Sequence, residues 1–357
     1  MSIASGVAPD LRGLLLPELE EVAERLGEPR YRGRQLARWL YARGATTADE
    51  MTDLPHGFRA RLRRDARISA LALRRAETSP GGAATKFLVA CEDGQTVECV
   101  LMRFDDGRRS ACLSTQAGCA MGCAFCATGR GGFARNLSAG EIIGQALLIR
   151  AHADRRVSHA VFMGMGEPLA NYDATVRAAR ILAAPHGCGI GMRHLTISTV
   201  GLVPQIHRLA RERLQLVLAV SLHAPTDALR ERLVPVNHRY PLADLLAACR
   251  AYVAETHRRI TLEYVLIDGV NDGDAEARQL ARLVRGLNCH VNLIPLNPVP
   301  GVPFARPPVE RVRAFARVVR GQGIPVTVRI ERGVEIQAAC GQLRLRDGQG
   351  RPSRWTR

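Results

Sequence analysis

At 357 residues with 46% hydrophobic side chains, the chain can bury a substantial core in one large domain plus a small one, which excludes a disordered or fibrous polypeptide. The formal net charge of +16 points to a polyanionic partner, although the basic residues are 49 arginines and one lysine, Lys86, a bias that coding preference also produces. No apolar run approaches the roughly 20 residues that span a bilayer, and the first residues lack a basic-then-apolar leader, so a soluble, cytoplasmic protein without membrane contact is expected.

The first section, to about residue 70, reads as helices. Leu16, Leu19, Val22, Ala23 and Leu26 recur at helical spacing, and Gly27 supplies a stop. Leu36, Trp39 and Leu40 give the next helix an apolar stripe, and Asp53-Leu-Pro-His introduces a third with Phe58 and Leu62. Five arginines fall between Arg59 and Arg67, readable either as a solvated helix face or as an RNA-backbone contact. From about residue 85 the pattern alternates. Lys86–Ala90 and Thr96–Met102 flank Glu92-Asp-Gly94, which predicts a hairpin.

Beyond the hairpin, strand-like runs alternate with helical ones. Strands are predicted at Ser110–Ser114, His159–Met163, His194–Ser198, Leu216–Ser221, Thr261–Ile267, His290–Ile294 and Val326–Ile330. Between them, Ser138-Ala-Gly-Glu141 is a capping box, and Leu242, Leu245, Leu246, Cys249 and Val253 form one apolar stripe. Such alternation implies an α/β fold with parallel strands and right-handed crossovers, curving into a full or partial barrel. Functional groups then belong at the C-terminal ends of the strands.

The densest chemical signal is Gly118-Cys119-Ala-Met-Gly-Cys123-Ala-Phe-Cys126, directly after the first barrel strand. Three thiolates at this spacing suit three irons of an iron–sulfur cluster, leaving one corner open to a substrate. Zinc with a distant fourth ligand is the alternative, although no second Cys-x2-Cys pair exists. Gly164-Met-Gly-Glu167 follows a strand, where small residues let backbone approach a ligand and Glu167 can accept from an amine. It is not a dinucleotide fingerprint, because Leu169 stands where a third glycine would be needed. Cys91, Cys99, Cys188, Cys249 and Cys289 read as buried hydrophobes.

The cluster loop, with Phe125 before its last cysteine, resembles the radical S-adenosylmethionine (SAM) signature. The match extends further. Cys112-Leu-Ser-Thr-Gln-Ala-Gly-Cys119, Cys126-Ala-Thr-Gly129, Phe162–Leu169, Ser198-Thr-Val-Gly201, Ser221-Leu-His-Ala224, Asn292–Asn297 and Ala339-Cys-Gly-Gln-Leu343 resemble the adenine-C2 RNA methyltransferases of the RlmN type, in that family's order. Gly27-Glu-Pro-Arg-Tyr-Arg and Met51-Thr-Asp-Leu-Pro are similar to its accessory domain.

The resemblance implies a radical SAM partial (β/α)6 barrel with a helical N-terminal accessory domain and a linking β-hairpin. The divisions would be 1–75 for the RNA-binding helices, 76–109 for the hairpin, 110–345 for the barrel and 346–357 for a basic tail. It implies a [4Fe–4S] cluster on Cys119, Cys123 and Cys126. SAM, two per turnover, would be held by Gly166, Glu167, Ser198, Ser221, Leu222, His223 and Asn297. Cys340 would carry a methyl group, Cys112 would resolve the adduct by forming a disulfide, and Glu98 would accept a proton.

The implied partners are 23S rRNA, tRNA and an electron donor such as flavodoxin, acting on a monomer. Glu167-Pro-Leu169 resembles the C2 type, whereas the C8-methylating sister type tends to carry alanine in place of the proline. The chain departs from the family pattern at Ser79–Thr85, at Ile330-Glu331, and in a Glu98–Cys112 segment one residue longer than usual around Asp106-Gly107.

Overall fold

The computed structural model describes residues 8–330 and 332–344. The basic tail with Arg346, Arg351, Arg354, Trp355 and Arg357, and the departure at Glu331, lie outside the described residues.

The N-terminal helices are α1 (Leu16–Arg25), α2 (Arg32–Ala37), which continues as a wider turn to Arg43, and α3 (His56–Asp65). They bury Leu19, Val22, Leu36, Leu40, Phe58 and Leu62, the apolar positions expected from the spacing. Gly27 takes φ +75, a left-handed stop that costs a side chain strain but glycine nothing. The arginines of α3 and its exit are held locally. Arg61 pairs with Glu28 at 2.6 Å, Arg63 with Asp49, Arg64 with Asp65 at 2.8 Å and Arg67 with Glu92 at 3.0 Å, while Arg59 donates to the Asp49 carbonyl. This favours the solvated-face reading of the run.

Four antiparallel strands follow: β1 (Ala72–Thr78), β2 (Ala84–Ala90), β3 (Thr96–Arg103) and β4 (Arg109–Cys112). The predicted hairpin is β2–β3, turned at Gly94 with φ +84. β1 was not legible as a strand, because it is an edge with most side chains in solvent and so shows no buried alternation. β4 is where the sheet changes character. It pairs antiparallel with β3 and parallel with β7 (His159–Phe162), and β8 (Leu195–Thr199), β9 (Val217–Ser221), β10 (Ile260–Leu266), β11 (Cys289–Pro295) and β12 (Val326–Val328) follow in parallel order. All seven predicted barrel strands are present within a few residues, in one ten-stranded sheet.

The crossovers carry α5 (Ala139–Ala151), α6 (Tyr172–Ala183), α7 (Val203–Arg211), α8 (Asp227–Leu233), α9 (Leu242–Thr256), α10 (Asp274–Leu283) and α11 (Val309–Gly321). The Ser138–Glu141 capping box forms: Glu141 N–H donates to Ser138 Oγ at 3.1 Å and Ser138 N–H to Glu141 Oε2 at 2.8 Å. Between β4 and α5, a two-stranded ribbon of β5 (Gln116–Gly118) and β6 (Phe133–Asn136) closes the base of the cysteine loop, which contains the short α4 (Ala127–Arg130). Among the described residues, no helix is long and apolar enough to cross a membrane.

Candidate active site

Gly118 sets the entry to the cysteine loop. Its φ of +82 is one glycine tolerates, and a Cβ there would lie 2.0 Å from the Gly132 carbonyl oxygen. The close approach lets Cys119 N–H donate to that same oxygen at 2.5 Å. Ala124 N–H reaches the Leu233 carbonyl at 2.9 Å, so the loop is fastened to α8 as well as to β6.

Cys119, Cys123 and Cys126 line one cavity of about 160 Å³ at the C-terminal ends of the parallel strands. Burial pushes all three thiols up, Cys119 to about 12, and each is raised further by a neighbouring thiol. Buried thiols crowded this way, without disulfides, are costly to ionise unless a cationic centre takes them as thiolates. Among the described residues, no three His, Cys, Asp or Glu side chains converge on the position of a single metal ion. A cubane asks for something else, one thiolate at each of three iron corners. The donor set fits an iron–sulfur cluster.

The rest of that cavity fits SAM. Gly166 has φ +100, and a Cβ would meet Gln116 at 2.6 Å, so backbone packs where a side chain has no room. Glu167, 2% exposed, accepts from Val200 N–H at 2.9 Å and Leu169 N–H at 3.0 Å, yet burial still raises its carboxyl to about 7. An ammonium placed beside it would supply the missing counter-charge. His223 takes a left-handed φ of +61, and its Nδ1 accepts from Val265 N–H at 3.0 Å. Burial lowers its pKa to about 3, so it is neutral with the proton on Nε2. Ser198 and Ser221 line the cavity, the Ser198 hydroxyl already donating to the Phe162 carbonyl at 2.7 Å. Leu222 is fully buried and outside the lining. Asn297 donates from Nδ2 to the Cys340 carbonyl at 3.0 Å, while its buried Oδ1 has no partner among the described residues and remains an open acceptor.

A second cavity of about 460 Å³ contains Cys112 at the end of β4, and it shares Met163, Asn297, Arg329 and Cys340 with the first. Cys340 therefore faces both spaces. Cys112, 7% exposed, is pushed up to about 12, chiefly by burial and next by Cys340 nearby, with Arg329 pulling the other way. The segment carrying Cys340 is tethered by Ala127 N–H to the Gly341 carbonyl at 2.7 Å, by the Thr128 hydroxyl to the Leu343 carbonyl at 2.6 Å, and by Gln342 Nε2 to the Pro298 carbonyl at 2.8 Å.

Glu98 stands outside both linings. It is 1% exposed, accepts from Arg344 N–H at 2.9 Å and lies 3.6 Å from Lys86 Nζ, which in turn reaches the Gln337 carbonyl at 3.5 Å. The single lysine and Glu98 thus touch the segment on either side of Cys340.

Two site residues were missed from sequence. Glu263, on β10, lines the cavity beside the cysteine loop, with its carboxyl raised by burial and held by Asn292 Nδ2 at 2.7 Å. A lone acid inside an otherwise apolar strand was its visible signal. Arg230, on α8, is completely buried and donates to the carbonyls of Val200, Ser221 and Leu222 and to Asn237 Oδ1. Among 49 arginines nothing local distinguished it.

The barrel and the cysteine loop opening into a cavity at its strand ends define a radical SAM enzyme. Residues 113–281 match the radical SAM superfamily, and residues 9–68 match the N-terminal domain of ribosomal RNA large subunit methyltransferases. A probable dual-specificity RNA methyltransferase RlmN of Moorella thermoacetica is 52% identical over 343 residues, covering 94% of this chain and 97% of the relative. One from Chloroflexus aurantiacus is 52% identical over 342 residues, covering 92% and 90%. The crystal structure of a radical SAM methyltransferase from Sphaerobacter thermophilus superposes with a TM-score of 0.90 at 54% identity, covering 94% of this chain and 99% of that one. The chain belongs to the RlmN family of radical SAM RNA methyltransferases.

Proposed function

We propose that this enzyme methylates C2 of adenosine in 23S rRNA, at the peptidyl-transferase centre, and in tRNA, at the adenosine 3′ of the anticodon. The observation that carries the reading is Cys340 in the wall shared by the two cavities, with the cysteine loop on one side and Cys112 on the other. Adenine C2 is electron-poor, so a methyl group cannot pass to it directly from a sulfonium. The carbon must arrive as a radical, tethered until the C2 proton leaves.

Cys119, Cys123 and Cys126 would hold the cluster, and Gly166, Glu167, Ser198, Ser221, His223 and Asn297 would surround SAM, with Leu222 buried behind them. When bound, the cluster supplies the electron that splits SAM into methionine and a 5′-deoxyadenosyl radical. Cys340 first takes a methyl group from one SAM, and a second SAM is used to remove a hydrogen atom from that S-methyl. The carbon radical would add to C2, and loss of one electron from the adduct back to the bound cluster would leave Cys340 joined to the RNA through a closed-shell thioether. Cys112 then takes the C2 proton and resolves the adduct, and the two cysteines end as a disulfide that a reductant reopens. Glu98 fits as the onward proton acceptor only by relay, since it lies behind the cavity wall.

In this reading residues 1–75 form an RNA-binding accessory domain, 76–109 the link, 110–345 the catalytic barrel and 346–357 a basic tail. The enzyme works as a monomer with an electron donor such as flavodoxin. Nucleoside mass spectrometry of rRNA and tRNA from cells with and without the gene tests it. The expected product is 2-methyladenosine; 8-methyladenosine in its place, or no gene-dependent methyladenosine, would overturn the assignment.

A further inference from the structure

The mouth of the larger cavity has a feature that the methyl-transfer residues do not use. The turn joining β3 to β4 is Phe104-Asp-Asp-Gly-Arg108. It closes with Phe104 N–H on the Arg108 carbonyl at 3.0 Å and Gly107 N–H on the Phe104 carbonyl at 3.0 Å, with Gly107 at φ +88. Arg108 places its guanidinium carbon 4.5 Å from the centre of the Phe104 ring. Arg332, arriving from the segment that carries Cys340, places its own 4.6 Å from the same ring. All three side chains line the cavity that contains Cys112 and Cys340.

Arg332 is the informative member. Its side chain is 15% exposed, yet its carboxylate partner is Asp105, 99% exposed and 3.5 Å away. Its Nε is buried and has no hydrogen-bond partner among the described residues. A buried guanidinium N–H left open loses its hydration without replacement, and an exposed carboxylate contributes little in return. Arg108 is itself half-exposed and pairs through Nε at 2.6 Å with the half-exposed Asp106. A ring that fixes two guanidinium planes removes much of the ordering cost of a fork-shaped contact. The ligand such a pair fits is a phosphodiester, gripped by the N–H forks, with a neighbouring base free to stack on a guanidinium plane.

We infer that Phe104, Arg108 and Arg332 form a docking site for the RNA phosphodiester beside the target nucleotide, displacing Asp105 and Asp106 on binding. The inference rests on the RNA-methylation reading and adds where the strand is held. Its test uses the cluster-loaded full chain and a short RNA hairpin containing the 23S target adenosine, with affinity followed against KCl and methylation followed separately. In R108A and R332A the dissociation constant should rise about tenfold, and the slope of log affinity against log salt should fall by about one per lost contact. The effect should appear in KM rather than kcat. D105N/D106N should tighten binding, which keeps the test informative if R332A disturbs its segment. Wild type that methylates the hairpin, with R108A and D105N/D106N matching it in affinity and salt slope, sinks the docking site and leaves the function standing. Wild type that methylates no adenosine sinks the function itself.

Discussion

Replacing Arg230 by methionine should both destabilise the protein and loosen its hold on SAM. The guanidinium is fully buried with no salt-bridged carboxylate among the described residues, and burial depresses its pKa to about 10 from the usual 12.5, a penalty of roughly 3 kcal/mol. Removing the charge recovers that much. Against it stand the acceptors left behind. Leu222 keeps a donor, Ala224 N–H at 2.8 Å, so Val200 O, Ser221 O and Asn237 Oδ1 are those at risk. At about 1–3 kcal/mol for each buried orphan the loss is roughly 6 kcal/mol, and the net is a destabilisation of about 3 kcal/mol, in the range for breaking a buried charged network. Val200 and Ser221 line the SAM cavity, so the same change lets two strand ends drift. Urea unfolding of the cluster-free protein and SAM titration of the loaded protein measure the two effects. R230K, which keeps the charge but lacks the fork, should fall between. An R230M protein within about 0.5 kcal/mol of wild type would refute the reasoning.

Resolution of the methyl adduct should speed up as pH rises. The Cys112 thiol is pushed up to about 12, so its thiolate fraction grows about tenfold per pH unit across the working range; single-turnover product release measured from pH 7 to 9 should follow, and a flat profile would remove Cys112 as the base. SAM affinity should also climb through neutrality, because the Glu167 carboxyl, raised to about 7, must ionise to meet the SAM ammonium; E167Q should abolish the pH dependence and weaken binding, as calorimetry on the reconstituted enzyme can show. G118A forces a Cβ to 2.0 Å from the Gly132 oxygen and should open the β5–β6 closure, lowering iron content after anaerobic reconstitution; wild-type loading would contradict that role for Gly118. E98Q keeps an acceptor for Arg344 N–H but loses the Lys86 charge pair. Cys340 methylation should persist while adduct resolution slows, and unchanged resolution would leave Glu98 a structural tether.

Periodicity made the parallel strands readable because each is buried on a pattern that local sequence records. The N-terminal helices were readable for the same reason, through Leu19, Val22, Phe58 and Leu62. β1 was not, since an exposed edge strand carries Arg74, Arg75 and Glu77 with no core face to betray it. The cluster cysteines announced themselves by spacing. Cys112 and Cys340 did not, because they lie far apart in the chain and meet only when β4 and the post-β12 segment converge. Arg230 and Glu263 act by reaching other elements, and a side chain's partners across the fold leave no mark within its own window. The arginine run on α3 shows the opposite error. A conspicuous sequence feature proved to be mostly paired with Glu28, Asp49, Asp65 and Glu92, whereas a short turn at Phe104–Arg108 holds its arginine at the cavity mouth.

The tethering of Cys340 connects the two halves of the site. Its segment is fastened to the cysteine loop through Ala127 and Thr128, to the exit of β11 through Asn297, and to β3 through Glu98. In the proposed mechanism a thiol carrying a methyl group has to meet SAM on one side and adenine on the other without leaving its anchors, and a position in the common wall would meet that demand with rotation about a side chain rather than travel of a loop. The same anchors bear on order of events. Ala127 and Thr128 follow Cys126 directly, so the fit of the cluster loop is transmitted through two hydrogen bonds to the Gly341 and Leu343 carbonyls, just after Cys340. Filling the cluster site should therefore order the methyl-carrying segment as well as supply the radical. Proteolysis between Gln337 and Arg344 is then expected to slow on cluster loading, before any SAM or RNA is added.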